Sequence, residues 1–585
     1  MNPSTALARV LVDALAAEGV TEFVIAPGSR SAPLAIAALQ ASQRGPSPGG
    51  RTPRLHVRID ERSAGFLALG LAKASGQPVA VVTTSGSAVA NLHPAVLEAH
   101  QAGVPLVLLT ADRPPEMRGV GANQTTDQIK IFGDAVRLFH EIGVPRRETG
   151  QVSYWRNVVS RAVTVARGQR SRDPRPVHLN VALIEPLLPT EADWPEPLGG
   201  DVGSTRSHLI SRAAAWELEP GPRTVVIAGD GSGPDARRLA ETSGWPLLAE
   251  PSSGARSGPY AIGPYRLLLD RSELGGAVQR VVAYGNPSLS RAVTRLLGRI
   301  DLELVVVSAR ARWPDPARAA DLVVASAGLR GAIRGATRAE PDAWLSTWLD
   351  AGAAATGALH ALLDDEPGLP GPLVARVVSA SLGPGSLLFV GSSSPIRDLD
   401  LAMHPRDPAG DIDHAEPDEH IKVLANRGVS GIDGSVSTAV GAALAHRGLG
   451  RGPALALLGD LTFLHDANGL VLGPDEPRPD LTIVVVNDDG GGLFHTLEPG
   501  APEHAGAFER IFGTPHGVDL AALCAATDTP HVRVERADDL ADALGPAAGL
   551  RVVEATVDRT RTRALHERIR AAVDAAVDGL AGSTP

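Results

Sequence analysis

The chain has 585 residues, which is too long for one hydrophobic core and predicts about three or four domains. Its formal net charge of −11 at pH 7, without a polybasic block, argues against a nucleic-acid partner. The lone cysteine, Cys524, excludes an internal disulfide and a metal site built from several cysteines.

The N-terminal segment MNPSTALARVLVDALAAEG has the apolar spacing of an amphipathic helix, with Ser4 and Thr5 as the expected N-caps. Asp13 and Glu18 lie within this segment, which is unlike a secretory signal peptide. The apolar runs along the chain are shorter than those that span a bilayer. We therefore expect a cytoplasmic protein that does not insert into a membrane.

Apolar strands alternate with helical segments, and the strands fall into three groups. The first group, in residues 1–190, contains TEFVIAP, LHVRID, PVAVVTTSG, VPLVLLTAD and PVHLNVAL. The second, in residues 205–350, contains RTVVIAG, RVVAYG, LELVVVS and DLVVAS. The third, in residues 365–585, contains SLLFVGSS, IKVLAN, ALALLGD, LTIVVVND and LRVVEATV. This alternation predicts three doubly wound α/β domains with mainly parallel sheets.

Two stretches between these elements have a different composition. PLLPTEADWPEPLGGDVGS is rich in Pro, Gly and acidic residues and is interpreted as an interdomain linker. ASQRGPSPGGRTPR is of low complexity and is interpreted as a mobile loop.

A glycine-rich run after the strand RTVVIAG imitates a dinucleotide fingerprint. Its sequence is Gly229-Asp230-Gly231-Ser232-Gly233, so its glycines have the spacing G-x-G-x-G, and Pro234 follows at once. The fingerprint requires G-x-G-x-x-G. A tight turn in a domain without a catalytic role is the favoured interpretation.

Two strands of the third group end in acidic residues. ALALLGD ends at Asp460, and LTIVVVND ends at Asp488 with glycines following. Because the carboxyl ends of neighbouring parallel strands open into one crevice, these two acids are expected to lie close together. Mg2+ usually binds one or two carboxylates together with the phosphate oxygens of a substrate. The pair therefore predicts a site for a metal diphosphate; two solvated acids at strand ends are the alternative.

This pattern resembles the thiamine diphosphate (ThDP) motif, in which Gly-Asp is followed after a helix and a strand by Asn-Asn or a close variant. The chain has Asn487-Asp488, and Asp488 follows Asp460 by 28 residues, near the long end of that spacing. The resemblance implies ThDP as cofactor, with Mg2+ or alternatively Mn2+. The expected metal ligands are the side chains of Asp460 and Asp488 and the backbone carbonyl of Gly490. Asn487 and Asp489 are expected to point elsewhere, since successive side chains of an extended segment alternate.

Glu61 opens the helical segment ERSAGFLALGLAKASG after the strand LHVRID. A structural acid is also favoured at a helix N-terminus, because the helix dipole stabilises it there. In ThDP enzymes a glutamate at this place lies beside the aminopyrimidine ring and activates the cofactor, which then serves as an electron sink. The resemblance thus implies that Glu61 is catalytic and binds the cofactor. It also implies a homodimer or a dimer of dimers, because the family builds each site at a subunit interface.

Five motifs resemble one family of ThDP enzymes in particular, the 2-succinyl-5-enolpyruvyl-6-hydroxy-3-cyclohexene-1-carboxylate (SEPHCHC) synthases of menaquinone biosynthesis. They are Ala26-Pro27-Gly28-Ser29-Arg30-Ser31, Asp60-Glu61-Arg62, Thr110-Ala111-Asp112-Arg113-Pro114-Pro115, Gly121-Ala122-Asn123-Gln124 and Asn426-Arg427-Gly428-Val429-Ser430-Gly431-Ile432-Asp433-Gly434. The resemblance implies decarboxylation of 2-oxoglutarate and addition of the succinyl carbanion equivalent to isochorismate. It also implies a pyruvate decarboxylase-like architecture, with a pyrimidine-binding domain (1–190), a central non-catalytic domain (205–350) and a diphosphate-binding domain (365–585).

Both implied substrates are dicarboxylates, and guanidinium groups bind carboxylates bidentately and stay charged. Arg30, Arg113, Arg397 and Arg427 are each expected in a loop just after a strand, where they would face the crevice. Taken singly, each is also explained as a surface arginine. Four arginines at matching motif positions favour substrate binding.

Other positions receive roles from the same resemblance. Asn123 and Gln124 are expected to bind substrate, and Ser393 to bind substrate and cofactor. Ile432 is the expected apolar wedge behind the V shape of the cofactor. The remaining candidates are Leu493 and Phe494 for the apolar side of the pocket, and Arg291, which lies roughly where relatives carry Lys.

Two alternatives stay open on the sequence alone. One is another ThDP-dependent decarboxylase or carboligase, such as an acetolactate synthase, although such enzymes handle small or apolar acceptors and do not need four arginines. The other is a catalytically silent protein of the ThDP fold. Loss of Glu61 or Asp460 would indicate a silent protein, and both residues are present.

Overall fold

The computed structural model describes residues 2–45, 52–189, 215–330, 339–405, 420–545 and 548–581. The middle of the predicted low-complexity loop and most of the predicted linker lie outside these ranges. The chain forms two compact units. The first unit comprises Met1–Ser211, Gly428–Gly450 and His465–Asp480, and the second comprises Arg212–Arg427, Arg451–Leu464 and Leu481–Pro585. The division into three domains stays a prediction.

Residues 2–189 build the first sheet. Its strands are β1 (Glu22–Ile25), β2 (Arg54–Val57), β3 (Val79–Thr83), β4 (Leu106–Asp112), β5 (Leu138–Ile142) and β6 (Val177–Ala182). They pair in parallel in the order β2-β1-β3-β4-β6-β5. The accompanying helices are α1 (Pro3–Ala17), α2 (Ala32–Gln43), α3 (Glu61–Ser75), α4 (Ser87–Asn91), α5 (His93–Ala102) and α6 (Gln151–Ala166).

Residues 215–364 build the second sheet. Its strands are β7 (Trp216–Leu218), β8 (Thr224–Ala228), β9 (Leu247–Ala249), β10 (Arg280–Tyr284), β11 (Glu303–Val307), β12 (Leu322–Val324) and β13 (Ala327–Leu329). Five of them pair in parallel in the order β12-β11-β10-β8-β9, while β13 and β7 form a separate pair. The helices of this segment are α7 (Asp235–Ser243), α8 (Arg291–Leu297) and α9 (Ala343–Asp364).

Residues 371–581 build the third sheet. Its strands are β14 (Leu387–Val390), β15 (Lys422–Ala425), β16 (Ala454–Gly459), β17 (Leu481–Asn487), β18 (His531–Val534) and β19 (Leu550–Thr556). They pair in parallel in the order β15-β14-β16-β17-β19-β18, which repeats the order of the first sheet. The helices are α10 (Gly371–Ser381), α11 (Ser394–Ala402), α12 (Ser435–Gly448), α13 (Asp460–His465), α14 (Ala505–Phe508), α15 (Leu520–Ala526), α16 (Ala537–Ala543) and α17 (Thr562–Ala581).

The predicted α/β class and the parallel sheets are confirmed. Strands β3, β4 and β6 are buried along their whole length, as expected for a sheet covered by helices on both faces. The glycine-rich run after β8 is a tight turn, in which Gly231 and Gly233 have positive φ and Pro234 precedes α7. One expected cap was wrong: the side chain of Asn2, rather than Ser4 or Thr5, caps α1 by accepting from the backbone N–H of Thr5.

Helices α3 and α12 belong to the first unit and cross at very short range. A Cβ on Gly70 would lie 2.1 Å from the carbonyl oxygen of Thr438, and one on Gly441 would lie 2.2 Å from that of Leu67. Backbones can approach this closely only where side chains are missing. The crossing matters for the site, because α3 begins at Glu61 and α12 begins three residues after Ile432.

We expect Gly70→Ala to destabilise the protein by about 1–3 kcal/mol, because the added methyl group overpacks the crossing. This exceeds the gain of about 0.5–1 kcal/mol that alanine gives inside a helix. The matched control is Gly357→Ala in α9, where no atom lies within 4 Å of the added Cβ and a small stabilisation is expected. Urea denaturation of both variants measures the difference. A Gly70→Ala protein as stable as wild type would contradict the crossing.

Candidate active site

Asp460 and Asp488 emerge at the same end of the third sheet. Strands β16 and β17 pair in parallel with Gly459 opposite Val486, so each acid lies just beyond its strand. The carboxylate of Asp460 accepts from the backbone N–H of Leu461 at 2.6 Å and from that of Gly490 at 2.8 Å. The two acids and Gly490 are thus brought together as the sequence predicts.

The electrostatics of this pair favour a bound cation. Burial raises the pKa of Asp460. The pKa of Asp488 is also raised, first by burial and then by the neighbouring charge of Asp460. The Oδ1 atom of Asp488 is buried and has no hydrogen-bond partner among the described residues. Two repelling carboxylates with an unused oxygen are a donor set that fits Mg2+, which prefers hard oxygen ligands.

Three glycines, residues 490–492, follow Asp488 and Asp489 in the chain. Gly490 has a φ of +142°, and a Cβ placed on it would lie 1.9 Å from the carbonyl oxygen of Gly513. A Cβ on Gly492 would lie 1.9 Å from Oδ2 of Asp488. Gly490 therefore requires glycine, because its φ and its close contact with the backbone of Gly513 leave no place for a Cβ, whereas Gly492 packs against the side chain of Asp488.

The residues that flank Asp488 have other partners, as predicted. Asn487 donates from Nδ2 to Oε1 of Glu554 at 2.7 Å. Oδ1 of Asp489 accepts from the backbone N–H groups of His516 and Gly517, at 3.1 and 2.8 Å. These contacts support the assignment of Asp488, rather than its neighbours, to the metal.

Two residues around this turn were missed by sequence reasoning. The ring Nε2 of His516 lies 3.2 Å from Oδ2 of Asp460. Arg559 donates from Nη1 to the backbone carbonyls of Asp488 and Asp489, at 2.7 and 2.8 Å. Both come from distant parts of the chain and lie in no motif, so only the folded structure reveals them.

Two arginines of the second unit, Arg397 and Arg427, influence each other electrostatically. Arg427 is buried, donates to Oγ of Ser288 at 3.1 Å, and has a buried Nε without a hydrogen-bond partner among the described residues. The pKa of Arg397 is lowered by burial and then by the positive charges of Arg427 and Arg266. Such a concentration of positive charge favours an anionic ligand. The predicted position of Arg397 needs correction, because it lies in the first turn of α11 rather than in a loop.

Ser393 precedes α11 in a strained backbone conformation. Its φ of +82° and ψ of −137° are rare for a residue with a side chain. Its carbonyl accepts from Nη1 of Arg397 at 2.7 Å. Strain of this kind costs about 1–3 kcal/mol and concentrates at functional sites.

The second unit contains a cavity of 1170 Å³. Its wall includes Asp488, Leu493, Arg397 and Arg291. Phe494 lies beside Leu493 in the chain and packs against Phe512, with ring centroids 5.6 Å apart. Arg291 is largely exposed and forms a two-pronged ion pair with Glu498, at 2.5 and 3.2 Å.

A second pair of arginines lies in the first unit. Arg113 follows β4, is buried, and donates from Nη1 to Oγ of Ser85 and to the carbonyl of Gln124. Its pKa is lowered by burial and then by the charge of Arg30. Arg30 donates to the carbonyl of Leu183 at 3.1 Å.

The loop that contains Gln124, whose carbonyl accepts from Arg113, is held by its own side chains. Gln124 has a φ of +51° and donates from Nε2 to the carbonyl of Ser85 at 3.1 Å. Asn123 is exposed. The contact between Ser85 and Arg113 was not predicted from the sequence.

Glu61 occupies the first position of α3, where Asp60 is the N-cap. Its Oε2 accepts from Nδ2 of Asn91 at 3.3 Å, a partner that sequence reasoning missed. The side chain of Glu61 is partly exposed and so accessible to a ligand. Ile432 is also partly exposed, and its carbonyl accepts from Oγ of Ser435 at 3.0 Å.

Sequence comparisons agree with this geometry. The profile of the thiamine pyrophosphate enzyme N-terminal TPP binding domain matches residues 5–131, and that of the C-terminal TPP binding domain matches residues 412–557. Thiamine pyrophosphate is another name for ThDP. The two matched regions contain Glu61 and the pair Asp460 and Asp488, respectively.

The chain is also similar to proteins named 2-succinyl-5-enolpyruvyl-6-hydroxy-3-cyclohexene-1-carboxylate synthase. It is 52% identical to that of Kineococcus radiotolerans, over 99% of this chain and 100% of the relative. It is 51% identical to that of a Nocardioides species, over 97% and 98%, respectively. The chain belongs to the SEPHCHC synthase family. For Saccharopolyspora erythraea the identity is 48%, over 99% of this chain and 100% of the relative. The family predicted from the five motifs is therefore confirmed, and with it the ThDP-enzyme fold of SEPHCHC synthases.

We expect Asp488→Ala to lose Mg2+-dependent binding of ThDP, because it removes one of two side-chain ligands. Asp488→Asn keeps an oxygen ligand and should retain much of that binding. The matched control is Asp489→Asn, which keeps an acceptor for the N–H groups of His516 and Gly517 and should not alter the metal dependence. Titration of ThDP with and without Mg2+ measures these effects. Normal Mg2+-dependent affinity in Asp488→Ala would refute the assigned ligand.

Proposed function

We propose that the chain decarboxylates 2-oxoglutarate and transfers the resulting succinyl group to isochorismate, giving SEPHCHC and CO2. The reaction depends on ThDP and Mg2+ and belongs to menaquinone biosynthesis. The names of the relatives supply the product, and the family supplies the cofactor. The two substrates are dicarboxylates, which matches the arginine chemistry of the candidate site.

The observation that carries the proposal is the burial of a motif arginine in each unit, Arg113 in the first and Arg427 in the second. The positive charge of Arg427 lowers the pKa of Arg397, and that of Arg30 lowers the pKa of Arg113. Guanidinium groups held this way lose hydration and repel each other unless an anion binds between them. A planar guanidinium also matches a carboxylate in geometry, which suits these groups to dicarboxylate substrates.

Asp460 and Asp488 hold Mg2+ in this proposal, together with the backbone carbonyl of Gly490. The unused, buried Oδ1 of Asp488 supports this assignment, because it offers an acceptor where a cation would relieve the repulsion between the two acids. Further metal ligands would come from the diphosphate.

ThDP, when bound, supplies an electron sink for the decarboxylation and for the formation of the new carbon–carbon bond. Glu61 acts on this cofactor by holding a proton at the aminopyrimidine ring. Its partly exposed carboxylate at the start of α3 supports the role, because a proton donor must be accessible to the group it serves. Asn91 orients the carboxylate through its hydrogen bond to Oε2.

The other candidate residues bind and orient the reactants. Ser393 contacts substrate and cofactor, Asn123 and Gln124 hydrogen-bond the acceptor, and Arg291, which pairs with Glu498, binds substrate at the cavity wall. Ile432 supports the bent cofactor, while Leu493 and Phe494 line the apolar side. The position of Leu493 and Arg291 on one cavity supports their joint role.

The remaining parts of the proposal concern assembly and location. The enzyme is a homodimer or a dimer of dimers, with each active site completed by two subunits. It acts in the cytoplasm. No helix among the described residues combines the length and the hydropathy needed to cross a membrane.

The test of the function is consumption of isochorismate by the purified protein with 2-oxoglutarate, ThDP and Mg2+. We expect Arg113→Ala, Arg427→Ala, or both, to lower kcat/KM for a dicarboxylate by roughly 10- to 150-fold, since a charged hydrogen bond contributes about 1.5–3 kcal/mol. The affinity for ThDP should change little.

The matched control for these variants is Arg238→Ala. Arg238 also lies in the second unit, but it is exposed and pairs with Asp235. Its loss should leave kcat/KM near the wild-type value. No turnover of isochorismate by the wild-type protein would overturn the proposed reaction. Normal use of both substrates by both arginine variants would overturn the arginine assignment.

We expect Glu61→Gln to keep the fold and bind ThDP but lose turnover by about 10²- to 10⁴-fold, because glutamine cannot exchange the required proton. Proton exchange at C2 of the bound cofactor, followed by NMR, is the direct measurement. Thermal unfolding of the variant checks that its fold is intact. Wild-type exchange in Glu61→Gln would remove Glu61 from the mechanism.

A further inference from the structure

Segment 465–468 forms hydrogen bonds to the start of α3, and we call this segment the clasp. Nη2 of Arg62 donates to the carbonyl of His465 at 2.9 Å. Oγ of Ser63 donates to Oδ1 of Asp466 at 3.2 Å. Nδ2 of Asn468 donates to Oδ2 of Asp60 at 2.9 Å. The three contacts therefore involve residues 60, 62 and 63, which surround Glu61 in the chain.

The other side of the clasp holds the start of α12. Oδ2 of Asp466 accepts from the backbone N–H of Ser437 at 2.6 Å, and its Oδ1 accepts from Oγ of Ser437 at 3.2 Å. Ser437 lies in the first turn of α12, shortly after Ile432. One carboxylate thus joins the beginnings of two helices within the first unit, next to Glu61 on one side and to Ile432 on the other.

The hydrogen bonds of the clasp are not required for α3 to form. Asp60 already caps this helix, because its Oδ1 accepts from the backbone N–H groups of Arg62 and Ser63 at 2.8 and 3.3 Å. Asp466 is completely buried, and a buried carboxylate costs free energy unless it is well hydrogen-bonded. Its partners are all donors, and two of its contacts reach α12. This arrangement fixes where the first turn of α3 lies, in addition to keeping it helical.

We propose that the clasp is a positioning device for Glu61, with Asp466 as its central residue. The inference rests on the proposed function, in which Glu61 serves the cofactor. Asp466 holds the turn that carries Glu61 against the first turn of α12 in the same chain, so that the carboxylate of Glu61 keeps a fixed position. Misplacement of a catalytic group by about 1 Å can cost about 10²-fold in rate, so a small shift of this turn has a large effect.

The experiment compares Asp466→Ala, Asp466→Asn and the double variant Ser63→Ala/Asn468→Ala. The double variant removes two of the three contacts at the start of α3 and leaves Asp466 itself in place. The matched control is Ser75→Ala, which removes a side-chain hydrogen bond at the other end of the same helix, from Oγ of Ser75 to the carbonyl of Leu71. Asp466→Asn keeps one oxygen acceptor and tests whether a conservative change preserves the rate.

Three quantities are measured for each variant. They are the rate of C2 proton exchange of bound ThDP, the affinity for ThDP, and backbone hydrogen–deuterium exchange of the peptide 61–67 in the cofactor-free protein. We expect C2 exchange and kcat to fall about 10- to 100-fold in Asp466→Ala and in the double variant, in line with a displaced catalytic group. KM and ThDP affinity should stay near wild type, Asp466→Asn should lose less, and Ser75→Ala should match wild type. Amide exchange of the peptide should accelerate in the clasp variants.

The double variant keeps the inference falsifiable if Asp466→Ala does not fold. Wild-type C2 exchange and wild-type amide exchange in the double variant would overturn the clasp. An equal loss in Ser75→Ala would also overturn it, because the effect would then reflect general weakening of α3. Slow C2 exchange in Glu61→Gln with normal exchange in the clasp variants would reject the clasp and leave the proposed function intact. Normal exchange in Glu61→Gln would reject the role of Glu61 itself.

Discussion

The repulsion between Asp460 and Asp488 is the constraint on which the diphosphate end of the site depends. Parallel pairing of β16 and β17 brings the two acids to the same sheet end, and burial denies them the water that would otherwise screen their charges. A divalent cation relieves this repulsion, and the cation in turn needs oxygen ligands from a phosphate group. The proposed site for a metal diphosphate therefore follows from where two strands end.

Repulsion between positive charges constrains the arginines in the same way. Arg427 has a buried Nε without a partner among the described residues, and Arg397 is held near it although their charges repel. In the first unit Arg113 is buried near Arg30. A repelling arrangement persists in a folded protein when the rest of the structure over-determines it, which is the usual condition of a preorganised site. Groups of both charge signs are thus held in place by the fold.

Sequence reasoning predicted what local patterns determine. Buried strands are continuous apolar runs, so the central strands of all three sheets were found. The missed strands β5, β9 and β18 lie at sheet edges, and the missed strands β7 and β13 form a separate pair. In β5 and β18 the sequences LFHEI and HVRV mix polar and apolar residues, so they lack the continuous apolar run of a buried strand. Asp460, Asp488 and Glu61 were found because they follow strands in motifs. His516, Asn91 and Asp466 act through contacts between distant parts of the chain, which no local pattern encodes.

Backbone strain indicates which of the site loops are fixed by more than their own sequence. Gln124, Ser393 and Asp489 have φ values of +51°, +82° and +54°, although none is glycine. Each such residue costs about 1–3 kcal/mol unless its surroundings hold it. The surroundings are visible in each case: Gln124 accepts from the buried Arg113, Ser393 from Arg397, and Asp489 from the backbone of the loop that carries His516. The strained residues and the charged groups therefore stabilise one another, so that the loops which present the charges are held in place by those same contacts.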